Sequence, residues 1–309
     1  MTIDQLKAEA KHSRCGERLA RCNELNRQEI FCALEHERLM RKYHDIEKIY
    51  TSQTSSSWSE VFYIMFMRTL GDEANRDTFM EVARRVKLSY IQRERSNPQR
   101  VEAMLMGASG LLECYPNGDY VEALRKDADY LLSKYNITPI LPLNWNLARV
   151  HPINHPAIKL SQAAMLMCKS DLIFNDLLLC RNLNDVDSLF KVTTSQLFMD
   201  THPHLVRDGR ESISIGASKR ALLGINLVVP ILYAYGYYLH DDDLCSQAEE
   251  LNESLPAEMN RFIKYWRSQG LYPTSAYESQ ALIQLSTIYC RTTRCEECPV
   301  GRHIVAGVI

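Results

Sequence analysis

The chain has 309 residues, of which 46% are hydrophobic, 24% charged and 9% aromatic, enough to bury one large core or two. Its 12 glycines and 11 prolines are few, which argues against a turn-rich β-sandwich and for long helices. A net charge of -2 removes any global electrostatic case for nucleic acid or an anionic membrane. Met1 to Ala10 carries Asp4, Lys7 and Glu9 with no apolar run, so the reading is a cytoplasmic protein whose ten cysteines stay reduced.

Apolar residues Leu25, Phe31, Leu34, Leu39, Ile46 and Ile49 recur near helical spacing, which predicts a helix over 24–49. Thr51 to Ser57 is serine-rich and predicts a loop, with Ser57 or Ser59 capping a short apolar helix that ends at Gly71 and Asp72. A further helix is expected to about Leu88. Pro98 opens the next one at its first turn, with Val101, Met104, Leu105, Ala108, Leu111 and Leu112 on one face. Pro116-Asn117-Gly118-Asp119 signals a turn before a helix over 120–135.

The proline-rich stretch 137–155 is expected to be irregular, and Pro156 starts another helix capped by Asn154 or His155. Asp200 to Ile215 reads as a long loop, and 217–239, 241–253, 256–269 and 276–289 are each helix-length. Ala221 to Leu239 has no charge and is long enough to span a bilayer. Asn226, Pro230, two glycines and four tyrosines favour instead a core helix kinked or broken at Pro230, so no membrane is expected. The expected fold is an all-α bundle of about ten or more helices with little or no sheet. Its organisation is read as an extension over 1–29, a subdomain over 30–136 and a subdomain over 137–309.

Cys290, Cys295, Cys298 and His303 crowd one short segment. Thiolates and an imidazole at this spacing suit a tetrahedral zinc ion, with an iron–sulfur cluster the weaker fit. His202-Pro203-His204 has only Asp200 and Asp208 as neighbouring carboxylates and reads as solvated loop. His36-Glu37-Arg38-Leu39-Met40 lacks the second histidine of a zinc-protease helix, and Gly216 to Arg220 lacks the spacing of a phosphate loop. Asp241 to Asp243 reads as a helix cap. Arg84, Arg85, Lys87, Arg93, Arg95 and Arg100 face one acid, Glu94. With Tyr90 among them, they could follow a phosphate backbone and stack on a base.

Four blocks carry a family resemblance: the run from Leu147 through Asn154 and His155 to Gln162; Gly216-x-Ser218 with Ile225-Asn226 and Pro230; Ser279-Gln280 through Gln284 to Cys290, Cys295, Cys298 and Gly301; and Val101-Glu102-Ala103 with Gly107 and Gly110. Together, over about residues 30–303, they resemble a bacterial domain-of-unknown-function family, DUF2851. His151 and His155 depart from its usual residues. Longer members of that family have a preceding region similar to a PD-(D/E)xK nuclease core, where carboxylates hold Mg²⁺. Residues 1–29 contain no such acidic cluster, so no catalytic motif is expected in this chain.

Two functional expectations follow. The first is a non-catalytic helical module binding nucleic acid or a protein, including a nuclease-like partner, through Arg84, Arg85, Lys87, Arg93 and Arg95, with Cys290, Cys295, Cys298 and His303 on a structural metal. The second is a self-contained enzyme with a pocket where Asn154, His155, Ser218, Lys219, Asn226 and Gln280 converge.

Overall fold

The computed structural model describes residues 5, 14–53, 57–115, 118–148, 150, 154–195 and 213–309. Among them the architecture is all-α. The only extended pairings are two isolated bridges, Thr193 with Ser214 and Pro256 with Ser275. The chain folds into two compact units, each discontinuous in sequence. One comprises Met1–Glu47, Arg181–Leu183 and Val228–Ile309, the other Lys48–Cys180 and Asn184–Leu227.

The helices in chain order are α1 (Arg14–Arg21), α2 (Glu24–Gln53), α3 (Trp58–Leu70), α4 (Asp72–Arg85), α5 (Leu88–Glu94), α6 (Pro98–Ala108), α7 (Asp119–Tyr135), α8 (Pro156–Lys169), α9 (Ile173–Leu178), α10 (Leu183–Phe190), α11 (Ala217–Leu223), α12 (Val229–Leu239), α13 (Asp242–Ser254), α14 (Arg261–Ser268), α15 (Ala276–Gln284) and α16 (Pro299–Val305). Local chemistry sets many of their ends. The Ser57 hydroxyl accepts the Glu60 N–H, Asn97 caps α6 ahead of Pro98, and Asp241 accepts the Leu244 N–H. His155 caps α8, its Nδ1 accepting the Ala157 N–H with Pro156 at the first helical position.

Three boundaries differ from expectation. Thr51 to Gln53 continue α2 rather than opening a loop, because Thr51 and Ser52 return their hydroxyls to the Lys48 carbonyl and stay within the helix. The segment after Pro256 is not helical until Arg261, since Asn260 is the residue that accepts the N–H groups of Phe262 and Ile263. The apolar run over 217–239 does not break at Pro230. A π-helical turn, Gly224–Val228, lies just ahead of the proline and accommodates its missing N–H. Ala217–Leu239 is the one described helix long and apolar enough to cross a membrane, and 67% of its most apolar window is buried within the protein.

In the unit spanning Lys48–Cys180 and Asn184–Leu227, α3 packs on α4, α5 and α9, and α6 packs on α5, α7 and α8. Phe62, Phe66 and Phe190 form a stacked aromatic row, with 6.0 Å and 5.9 Å between successive centroids. Phe79 meets Trp145 edge-on at 5.1 Å, and the indole N–H of Trp145 donates to the Ser109 carbonyl at 2.9 Å. Gly110, at φ 71, turns the chain after α6 so tightly that a Cβ there would lie 2.3 Å from the Ile140 oxygen. Only glycine meets both demands.

In the other unit, α12 packs on α13, and α15 on α13 and α14. Its core gathers Leu19, Ile30, Phe31, Leu34, Ile263, Trp266, Leu282 and Leu285. Trp266 is buried, so its N–H needs a partner. It finds the Ser286 hydroxyl at 2.7 Å and the Leu282 carbonyl at 3.1 Å.

Candidate functional site

Helices α3 and α4 are joined by a single residue, Gly71. A Cβ on Gly71 would stand 2.6 Å from the Asn75 oxygen, so the close reversal needs glycine there. The next residue, Asp72, sits at φ 54, in the left-handed region that L side chains rarely adopt. Backbone strain at a charged residue directs attention to what that residue holds.

Two lysines from distant helices close on Asp72. Lys159 of α8 donates to the Leu70 carbonyl at 2.8 Å and to Asp72 Oδ2 at 2.5 Å. Lys219 of α11 donates to the Thr69 carbonyl at 2.8 Å and to Asp72 Oδ1. The two ammonium groups thus satisfy carbonyls at the C-terminal end of α3, where cations are favoured by the helix dipole, and share one carboxylate. Each ammonium has three N–H donors and these contacts occupy two. The Asp72 side chain is 52% exposed, Lys219 22% and Lys159 10%, so the cluster opens to solvent on the aspartate side.

Burial works to raise the Asp72 carboxyl, but the nearby Lys219 and Lys159 hold it below its ordinary value. Burial likewise pushes the Lys219 ammonium down, and Asp72 only partly restores it. The arrangement is a desolvated pair of cations with a single anion between them.

A second polar centre lies in the same unit. Glu102 of α6 is fully buried and accepts the Tyr120 hydroxyl at 2.6 Å and the Ser195 hydroxyl. Ser161 of α8 donates to Ser195 Oγ at 3.1 Å, and its own oxygen accepts the Ser195 N–H at 2.9 Å. Burial raises the Glu102 carboxyl despite these bonds. Glu102 and Ser161 belong to two of the blocks singled out in the sequence, and packing of α6 on α8 is what joins them.

The residues expected to form one pocket are dispersed in role. Asn154 is exposed beside the α8 cap. The His155 Nδ1 also meets the Tyr115 hydroxyl at 3.2 Å. Ser218 is exposed, and Asn226 lies half-buried in the π turn. Gln280, in the other unit, donates to Glu258 at 2.7 Å. Of the set, Lys219 is the member held in a charged cluster.

The basic run is largely taken up by nearby acids. Arg84 and Arg85 pair with Glu81 at 3.7 Å and 2.9 Å, and Arg85 also donates to the Thr138 and Pro139 carbonyls. Arg95 pairs with Asp171, and Arg100 with the buried Glu94 at 2.8 Å. Tyr90 stacks on Tyr135 at 4.5 Å, which occupies one face of its ring. Lys87 and Arg93 are exposed.

All ten cysteines are thiols, with no disulfide. Among the described residues no group of three or more His, Cys, Asp or Glu side chains is already placed to hold a metal ion. His303 lies 2.9 Å through Nδ1 from the Pro299 carbonyl, and its Nε2 is 3.7 Å from Glu29. Pro203 and its flanking histidines, His151, and the acids Asp200 and Asp208 lie outside the described residues.

One buried group escaped the sequence reading. Glu35 of α2 is 2% exposed, accepts Arg38 at 3.1 Å and Asn252 Nδ2 at 2.7 Å, and keeps a second oxygen without a partner. Asn252 Oδ1 is in the same position. Burial pushes the Glu35 carboxyl up to about 7, against the pull of Arg38. A proton on Glu35 turns its unpartnered oxygen from an acceptor into a donor.

A profile described as "Protein of unknown function (DUF2851)" matches residues 1–261. The matched residues include Asp72, Glu102, Lys159 and Lys219 and end before Gln280 and the Cys290–Cys298 segment. No curated protein and no solved structure matches the chain.

Proposed function

We propose that this chain, which belongs to the DUF2851 family, is a helical binding module whose ligand presents an oxyanion, a phosphate or a carboxylate, to Lys159 and Lys219. The observation that carries the reading is the shared carboxylate. Two ammonium groups from separate helices hold one half-exposed aspartate, and each retains an N–H beyond its two hydrogen bonds. An arriving oxyanion supplies the second negative charge and accepts those donors, with charge-assisted bonds stronger than neutral ones. Asp72 keeps the two cations together until then.

The test is calorimetric titration of the full chain with inorganic phosphate and, separately, with citrate. Binding that disappears in Lys219→Met, with the variant still helical by circular dichroism, supports the reading. Heats equal to the dilution blank, or unchanged in Lys219→Met, overturn it.

A catalytic version has one observation in its favour, the Lys219 ammonium held below its ordinary range by burial. A lysine shifted that way is a stronger candidate for proton transfer than an exposed one. The duplex-binding version is less favoured, because the acids beside Arg84, Arg85 and Arg95 already neutralise much of the positive run. It requires affinity that falls steeply with salt and depends on Lys87 and Arg93.

A further inference from the structure

Asp72 holds a third cation. The Arg76 guanidinium of α4 donates through Nε to the Asp72 carbonyl at 3.4 Å, while the Asp72 carboxylate takes Lys159 at 2.5 Å and Lys219 through its other oxygen. Side chains on a helix lean toward its N-terminus, so Arg76 reaches back one turn to the residue that the two lysines already hold. Cations from α4, α8 and α11 therefore all touch one residue. Arg76 is exposed, and its guanidinium has no other partner among the described residues. Both terminal nitrogens keep their N–H donors.

The acids do not balance these charges. Among the described residues Asp72 is the one carboxylate paired with either lysine, and the adjoining Glu73 is exposed and pairs with none of the three cations. Three positive groups against one negative group leave an excess of two positive charges. Lys159 and Lys219 are largely withdrawn from water, where an uncompensated charge is costly. Gly71 also leaves α4 without a side-chain cap, so the first-turn N–H groups there add further donors.

We infer that the oxyanion received here is a dianionic phosphoryl group, carried by a phosphomonoester or by phosphate itself, rather than a carboxylate or a phosphodiester. The inference rests on the reading that Lys159 and Lys219 bind an oxyanion. A dianion cancels the excess charge, whereas a singly charged group leaves one cation without a counter-charge. The end of the Arg76 guanidinium offers two parallel N–H bonds to phosphoryl oxygens. Arg76 and the half-exposed Asp72 lie on the open side of the cluster, which leaves the rest of an ester in solvent. A nucleic-acid backbone presents diesters of one charge each and is the poorer match.

The experiment is calorimetric titration of the full chain near pH 8, where a phosphomonoester carries about two negative charges, with methyl phosphate, inorganic phosphate, dimethyl phosphate and acetate. The expected result is methyl phosphate or inorganic phosphate bound at least ~10-fold more tightly than the two monoanions, with the tighter of the pair identifying the source. Arg76→Gln should remove that preference, lowering the affinity for the dianions by at least ~10-fold and leaving that for acetate unchanged. Because Arg76 is exposed, the variant should keep the parent's circular-dichroism spectrum. Monoanions bound as tightly as dianions, or a preference that survives Arg76→Gln, overturns this inference and leaves the oxyanion reading standing. Absence of binding by all four ligands overturns both.

Discussion

Replacing Glu35 by glutamine should make the protein more stable at alkaline pH, although it removes a buried carboxylate that pairs with an arginine. Folding raises this carboxyl from its ordinary value of 4.5 to about 7, chiefly by burial. The sign follows from proton binding. Between those two values the folded state binds more protons than the unfolded chain, so the contribution of Glu35 to stability is fully present below pH 4.5 and is lost as pH rises through about 7. The span of about 2.5 pH units, at about 1.36 kcal/mol each, is about 3 kcal/mol. This figure already contains the attraction of Arg38. Glutamine reproduces the shape of the protonated acid, keeping an acceptor oxygen for Asn252 Nδ2 and putting N–H donors in place of the unpartnered oxygen. The variant should therefore match the parent near pH 4.5 and exceed it by about 3 kcal/mol near pH 8. Urea unfolding followed by circular dichroism at several pH values measures the difference. A Glu35→Gln protein that keeps the parent's pH slope, or is the less stable at pH 8, refutes the reasoning.

Asp72→Asn removes the anion shared by Lys159 and Lys219 and should cost roughly 1–3 kcal/mol, between exposed and buried ion pairs. Asp72→Gly loses the same charge but relieves the left-handed backbone, so it should be more stable than Asp72→Asn by ~1 kcal/mol; equal midpoints in urea would show that φ 54 carries no strain. Gly110→Ala places a Cβ 2.3 Å from the Ile140 oxygen at φ 71 and should lower stability by at least ~2 kcal/mol in thermal unfolding, while Gly118→Ala, with open space around it, should change little.

How much of this was readable from residue order depends on the distance over which the cause acts. The caps at Ser57, Asn97, His155 and Asp241 are contacts within three residues, and such chemistry is written locally. Val61 to Met67 of α3 and Val101 to Ala108 of α6 are buried without a break, so α6 buries more than the single apolar face its spacing predicts. Asp72 and Lys159 are 87 positions apart, and nothing in either neighbourhood announces the other. The signal that could have been used was Gly71-Asp72 itself, a tight turn ending on a charge. The positive run over 84–100 was visible, but its neutralisation depends on Glu81 and on Asp171, the latter brought in by tertiary packing. Glu35 looked like one more acid in an amphipathic helix. Its burial follows from α13, which supplies Asn252 from 217 residues away.

The central claim is that Lys159 and Lys219 receive an oxyanion together, and lysine-selective ¹⁵N NMR of the ammonium groups addresses it most directly. The two resonances, assigned from Lys159→Met and Lys219→Met, should be the ones that shift as inorganic phosphate is added, saturably and to the same midpoint, while that of exposed Lys87 stays in place. If phosphate moves all lysine signals alike in proportion to ionic strength, or leaves these two unmoved, the oxyanion site does not exist.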